Sequence, residues 1–137
     1  MWLYEEKVIN SIEDMPEGTF GFIYEVEHKK TGEKYIGKKV VYFNRTLPPL
    51  KGKKRKRKVT KESDWQTYCG SNPRIKELLK EGNQSEFIRI ILKFVSSKKL
   101  LTYYENKYLF MKGVIEPESK YINDNIEGRY YRKDFVS

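Results

Sequence analysis

The sequence predicts an α+β domain with a small, largely antiparallel three-stranded central sheet flanked by helices. Three observations predict it. Residues 20–27 and 33–41 are aromatic and β-branched runs on either side of Lys29-Lys30-Thr31-Gly32, the pattern of an antiparallel hairpin. Residues 86–95 form a third run of strand composition. Two further stretches, 74–81 and 98–112, carry helix start and stop signals.

Taken in order, the chain opens on an acidic segment (Glu5, Glu6, Glu13, Asp14, Glu17) that ends in a Pro16-Glu17-Gly18 turn. The hairpin follows. Residues 44–62 read as an inserted basic loop, because Pro48, Pro49 and Gly52 interrupt regular structure and a cationic run comes directly after. Ser71-Asn72-Pro73 starts the first helix, with a capping side chain before a proline at the first helical position, and Gly82 stops it. In the third strand Ile88, Ile90, Leu92 and Phe94 are expected on one face, with Arg89 and Lys93 on the other. Ser96-Ser97 caps the second helix and Gly113 ends it. The aromatic, mildly basic stretch from Tyr121 onward carries no assignment. All 137 residues read as one domain, with a core over about 20–125 and a tail over 126–137.

With 38% hydrophobic and 15% aromatic residues, the chain has the apolar mass for a packed core. Its formal charge of +9 is concentrated. Lys51, Lys53, Lys54, Arg55, Lys56, Arg57, Lys58 and Lys61 supply +8 with no acidic residue among them, which leaves +1 for the rest. A nearly neutral domain with one cationic segment fits a polyanionic partner docked at one place. Cys69 and His28 are single, which excludes a disulfide framework, a thiolate cluster and a multi-histidine zinc site. No run approaches the ~18–20 apolar residues of a membrane span, and the first ten residues lack a secretory pattern, so a cytoplasmic protein without membrane contact is expected. Chemistry here would run on Tyr, Lys, Arg, Glu and Asp.

If His28 pairs with Glu33, then Val26 faces Tyr35 and Tyr24 faces Gly37, and these four side chains share one face. Tyr24 and Tyr35 become diagonal neighbours about 7–8 Å apart. Gly37 opposite Tyr24 leaves a hollow between two phenols. Lys39 falls on the same face and Lys38 on the other. The pattern equally suits ordinary amphipathic strand residues. On the second helix, Leu101, Tyr104, Tyr108 and Met111 make an apolar stripe with Glu105 at its edge. A carboxylate there is unfavourable unless it reaches solvent, pairs with a lysine or binds a metal.

Phe22-Ile23-Tyr24 and Tyr35-Ile36-Gly37, ten residues apart, resemble the signature of the GIY-YIG nuclease family, with Phe22 at the place of the first glycine and Gly21 one residue earlier. Glu105 in Tyr103-Tyr104-Glu105-Asn106 and Asn123 in Tyr121-Ile122-Asn123 follow in the family's order. The resemblance covers about 20–125. The basic loop followed by residues 62–71 looks most like small phage-encoded members, a resemblance that would imply an infected bacterial host.

The resemblance implies DNA phosphodiester hydrolysis with Mg²⁺ (or Mn²⁺) held by Glu105. Tyr24 would hold or deprotonate the attacking water and Tyr35 would position it or the phosphate. Tyr24 as a base requires nearby positive charge, for which Lys39 is the local candidate and Lys38 the alternative. Arg45, ten residues after Tyr35, suits the family's phosphate-neutralising arginine, with Arg57 as the alternative. Gly37 and Asn123 would support the site, with Asn125 a rival for Asn123. The eight cations of 51–61 would form a DNA-tracking arm. Double-strand cutting would call for a second copy or a protein partner. A rival of another class is a non-catalytic nucleic-acid-binding module that keeps the nuclease fold.

Overall fold

The computed structural model describes residues 1–135, and within them all side chains except those of residues 45, 46, 58 and 59. The predicted hairpin is present as β3 (Gly21–His28) and β4 (Lys34–Val40), in the register that the four-residue turn imposes: Val26 opposite Tyr35 and Tyr24 opposite Gly37. The third strand, β7 (Phe87–Val95), pairs antiparallel with β3.

The α+β class holds, but the sheet has five strands rather than three. Trp2–Tyr4 (β1) and Lys7–Ile9 (β2) form a hairpin, and β1 lies parallel to β7, giving the order β2-β1-β7-β3-β4. The two turn residues, Glu5 and Glu6, both have positive φ (47° and 69°). That backbone usually calls for glycine or asparagine, so two glutamates gave no hairpin signal.

Strand β7 carries a bulge. The pairing slips between Ile23, opposite Lys93, and Tyr24, opposite Ile91, so Leu92 is an extra residue. Strict alternation fails across this bulge. Phe87, Arg89, Ile91 and Phe94 share the face of Tyr24 and Phe22, while Ile88 and Ile90 lie on the other. Arg89 is therefore in the core, only 2% exposed, and not on a solvated face.

The expected loop over 44–62 is largely a ribbon. Tyr42–Leu47 (β5) and Arg57–Glu62 (β6) pair antiparallel from Tyr42–Glu62 at the base to Leu47–Arg57 near the tip, so Pro48, Pro49 and Gly52 belong to the tip alone.

Both helices start at their expected caps. Asn72 Oδ1 accepts from the Arg74 amide (2.8 Å) ahead of α1 (Pro73–Glu81), and Ser97 Oγ accepts from the Leu100 amide (3.2 Å) ahead of α2 (Lys98–Met111). Helix α2 packs Leu101 and Leu109 against Ile23 and Ile36 on one face of the sheet. Met111, expected in its apolar stripe, is instead exposed, and Leu109 takes the buried place. On the opposite face Trp2, Phe22, Tyr24 and Trp65 make an aromatic core with edge-to-face contacts. The tail folds into β8 (Asn125–Ile126), β9 (Tyr130–Tyr131) and a 3-10 turn over Arg132–Phe135. No helix among the described residues is long and apolar enough to cross a membrane.

Candidate active site

Strand β4 is an edge of the sheet, and its register decides which side chains meet there. Tyr24 and Tyr35 lie tilted against one another with ring centroids 6.3 Å apart. A Cβ on Gly37 would stand 2.5 Å from Tyr24 Oη and 2.9 Å from Tyr35 Cε1, so only glycine leaves the phenols room. Gly70 closes in from the other side. It has φ +130°, and a Cβ there would lie 3.4 Å from Tyr24 Oη. The ring of Tyr68 stands edge-on to Tyr24 at 5.9 Å. The sequence places neither Tyr68 nor Gly70 beside Tyr24, because that contact exists only through tertiary folding.

Glu105 comes from α2, beneath the opposite face of the sheet, and reaches the edge of β4. Its carboxylate is largely buried, with Lys38 Nζ 3.8 Å away, and Lys38 also donates to Thr102 Oγ1 (3.4 Å). Burial raises its pKa, and the Lys38 charge draws it partly back. Tyr35, Asn72, Glu105, Asn123, Asp124 and Glu127 line one open cavity of about 530 Å³. A larger hollow, about 640 Å³, lies by the β1–β2 turn and contains none of these residues.

The cation beside Glu105 is thus Lys38. Lys39 is directed elsewhere: its ammonium is 2.6 Å from Asp64 Oδ1 and 3.9 Å above the Tyr68 ring. Among the described residues, the groups that bear on Tyr24 disfavour its phenolate. Tyr24 is 1% exposed, and burial, with the neighbouring phenols and Glu105, holds its pKa well above the usual tyrosine value. Burial first, then the Glu105 charge, pushes Tyr35 up to about 12. Both hydroxyls keep their protons at neutral pH.

An alkaline titration follows from these shifts. An unfolded tyrosine ionises near pH ~10, below either folded value, so the unfolded chain loses protons first. The stabilisation is whole below about pH 10 and falls as pH rises from there through the folded values, reaching about 12 for Tyr35. Absorbance at 295 nm is expected to show Tyr24 and Tyr35 ionising only as the fold is lost. Titration of all eleven tyrosines near pH ~10 in a native protein would contradict the burial.

Asn123 fixes the cavity's edge. Its Oδ1 accepts from the Ile36 amide (3.2 Å) and its Nδ2 donates to the Ile36 carbonyl (2.9 Å), between Tyr35 and Gly37. Asn125 lines the same cavity, and its Oδ1 accepts from the Gly128 amide (2.9 Å). Arg57 stands at the far end of the ribbon, donating to the Pro48 carbonyl (3.3 Å). Five strand steps of about 3.3 Å separate it from the ribbon's base, so Arg57 does not join the cavity. Arg45 lies in β5 opposite Val59, and its side chain is outside the described residues. Among the cations of 51–61, Lys51, Lys53, Lys54, Arg55, Lys56 and Arg57 cluster at the exposed tip and Lys61 lies exposed near the base, whereas the Lys58 side chain is outside the described residues. Trp65 is wholly buried. His28, at the hairpin turn, stacks on Phe87 and bonds Thr31, away from the cavity.

Among the described residues no three His, Cys, Asp or Glu side chains gather into an all-protein metal cage. The cavity fits a different kind of site. Mg²⁺ characteristically binds one or two carboxylates and completes its shell with water and substrate phosphate. Glu105 is a largely buried carboxylate facing the Lys38 ammonium, and Asp124 and Glu127 line the same cavity.

Among known families, the model described as "Putative endonuclease segE, GIY-YIG domain" matches residues 2–126. Comparison with curated proteins and with solved structures finds no match. The match spans the whole five-stranded sheet, both helices, the tyrosine hairpin, Glu105 and Asn123, and on it the chain belongs to the SegE-type GIY-YIG family of endonuclease domains.

Proposed function

We propose that the protein is a divalent-metal-dependent DNA endonuclease whose site is the cavity at the β4 edge. The observation that carries this is the convergence of Tyr35 and Glu105 on one cavity, with Tyr24 directly behind, separated from the phenol of Tyr35 only by the missing side chain of Gly37. Glu105 would hold Mg²⁺ or Mn²⁺, which when bound supplies positive charge to the scissile phosphate and the leaving oxygen. Tyr35 Oη, protonated at neutral pH, orients the attacking water or a phosphate oxygen by hydrogen bonding. Tyr24 Oη also keeps its proton and forms the floor of the hollow, so its role is to align Tyr35 and the water, not to act as a standing phenolate. Lys38, 3.8 Å from Glu105, is better placed than Lys39 to meet phosphate charge.

The ribbon of β5 and β6 continues directly from β4, so its basic tip reaches along the DNA from the site itself. Its cations would contact phosphates and carry little sequence information. Tyr35→Phe and a variant with Lys53, Lys54, Arg55 and Lys56 all changed to Gln separate the two tasks. Tyr35→Phe is expected to bind duplex DNA normally and cleave it poorly. The arm variant is expected to bind weakly, with the slope of log K against log salt reduced by about 0.9 for each phosphate it no longer neutralises. Equal cleavage by Tyr35→Phe and its parent would remove the tyrosine from the mechanism.

A further inference from the structure

Arg132 lies beyond the residues that the family match covers, in the turn after β9. Its guanidinium gathers main-chain carbonyls. The two N–H groups of Nη2 are shared among the carbonyls of Val114 (2.8 Å), Tyr121 (2.5 Å) and Asn123 (2.7 Å), and Nη1 reaches the Glu116 carbonyl (3.4 Å) and Ser119 Oγ (3.5 Å). The Arg132 amide donates to the Asp124 carbonyl (3.0 Å). The tail thereby fastens the segment 114–124 from its outer side.

The inner side of that segment closes the free edge of β4. The Lys34 amide donates to the Lys120 carbonyl (3.1 Å), the Ile122 amide donates to the Lys34 carbonyl (2.7 Å), and the Asn123 side chain bonds Ile36 twice. An edge strand has no ladder partner of its own on that side, so its position depends on whatever covers it. Ile36 sits between Tyr35 and Gly37, and a displacement there moves the phenol relative to Glu105. No ion pair holds Arg132 elsewhere among the described residues, and a planar five-donor guanidinium suits several converging carbonyls as a lysine ammonium does not.

We propose that Arg132 is a positioning residue of the nuclease site, acting through Asn123 to fix β4, and that the functional unit extends through the tail at 127–135. For its effect on cleavage this rests on the function proposed above. Shifts of about 1 Å at a reacting centre lower rates on the order of a hundredfold.

Arg132→Ala, Arg132→Lys, Asn123→Ala and the double alanine variant test it, with two readouts on the full chain. Hydrogen exchange at the Ile36 amide is expected to quicken in Arg132→Ala, to be intermediate in Arg132→Lys, and to leave the central β3 and β7 amides unchanged. Single-turnover cleavage at saturating DNA is expected to fall by up to about a hundredfold in Arg132→Ala with DNA affinity unchanged, and the double variant to be no worse than Asn123→Ala alone. If Arg132→Ala fails to fold, Arg132→Lys and Arg132→Gln carry the same comparison. An Ile36 amide unmoved in a folded variant, or additive losses in the double variant, would overturn the proposal. A wild-type protein that cuts no DNA would instead refute the nuclease reading, and the Ile36 exchange tells the two failures apart.

Discussion

Replacing Glu105 by glutamine is expected to lower DNA cleavage by about a thousandfold or more, equivalent to about 4 kcal/mol of transition-state stabilisation, while leaving the fold intact. Two independent effects of the substitution bear on this. Glutamine keeps the shape of the side chain but not the negative charge that a hard divalent cation needs. It also removes a largely buried carboxylate whose pKa is raised by burial. A group with a raised folded pKa binds its proton more tightly when folded, so above the ordinary carboxylate range its ionised form opposes folding. At neutral pH Glu105→Gln is therefore expected to be as thermostable as the parent or more so. Lost activity with retained or increased stability identifies a functional carboxylate held against its folding preference. If both fall together, Glu105 serves the fold through Lys38 and not the chemistry.

Arg89→Ala is expected to have the largest effect on stability, a loss of about 3–5 kcal/mol in urea unfolding. Its guanidinium is buried on the Tyr24 face of the sheet, donates to the carbonyls of Gln66 (3.0 Å) and Tyr68 (2.8 Å), and stacks over Trp2 with 4.7 Å to the ring centroid. Truncation leaves two carbonyls without a donor and a cavity beside Trp2. The consequence reaches the site, because the same carbonyls fix the turn that carries Tyr68 and Gly70 to Tyr24. Arg89→Lys keeps the charge but not the planar group that lies over Trp2 while its Nη1 serves both carbonyls, so it should recover only part of the loss. A change below about 1 kcal/mol would show that Arg89 is incidental to the fold.

Parts of this structure were legible in the sequence because local chemistry determined them. The four-residue turn after His28 set the β3–β4 register, and through it the meeting of Tyr24, Tyr35 and Gly37. Asn72-Pro73 and Ser97 marked helix starts because capping is a local bond. Glu105 stood out as a carboxylate on an apolar helix. What escaped had tertiary causes. The Glu5-Glu6 turn adopts a backbone its residues disfavour, so β1 and β2 left no trace. The bulge at Leu92 turned Arg89 inward against simple alternation. The basic segment hid a ribbon, since its proline and glycine breakers sit at the tip while charged strands pair on either side. Lys39 matched the tyrosine face by parity, but Asp64, brought in by the fold, captures it and leaves Lys38 beside the carboxylate. Gly70 and Tyr68 reach Tyr24, and Arg132 reaches the Asn123 carbonyl, from distant segments that no spacing connects.

Plasmid cleavage decides whether the cavity at the β4 edge cuts DNA with a divalent metal. Purified protein is incubated with supercoiled DNA in Mg²⁺, in Mn²⁺ and in EDTA, with Glu105→Gln alongside. Conversion to nicked or linear DNA is expected from the parent in either metal, with none in EDTA and none by Glu105→Gln. Salt-sensitive binding without cleavage in any metal would contradict the claim and leave a DNA-binding module on a nuclease fold.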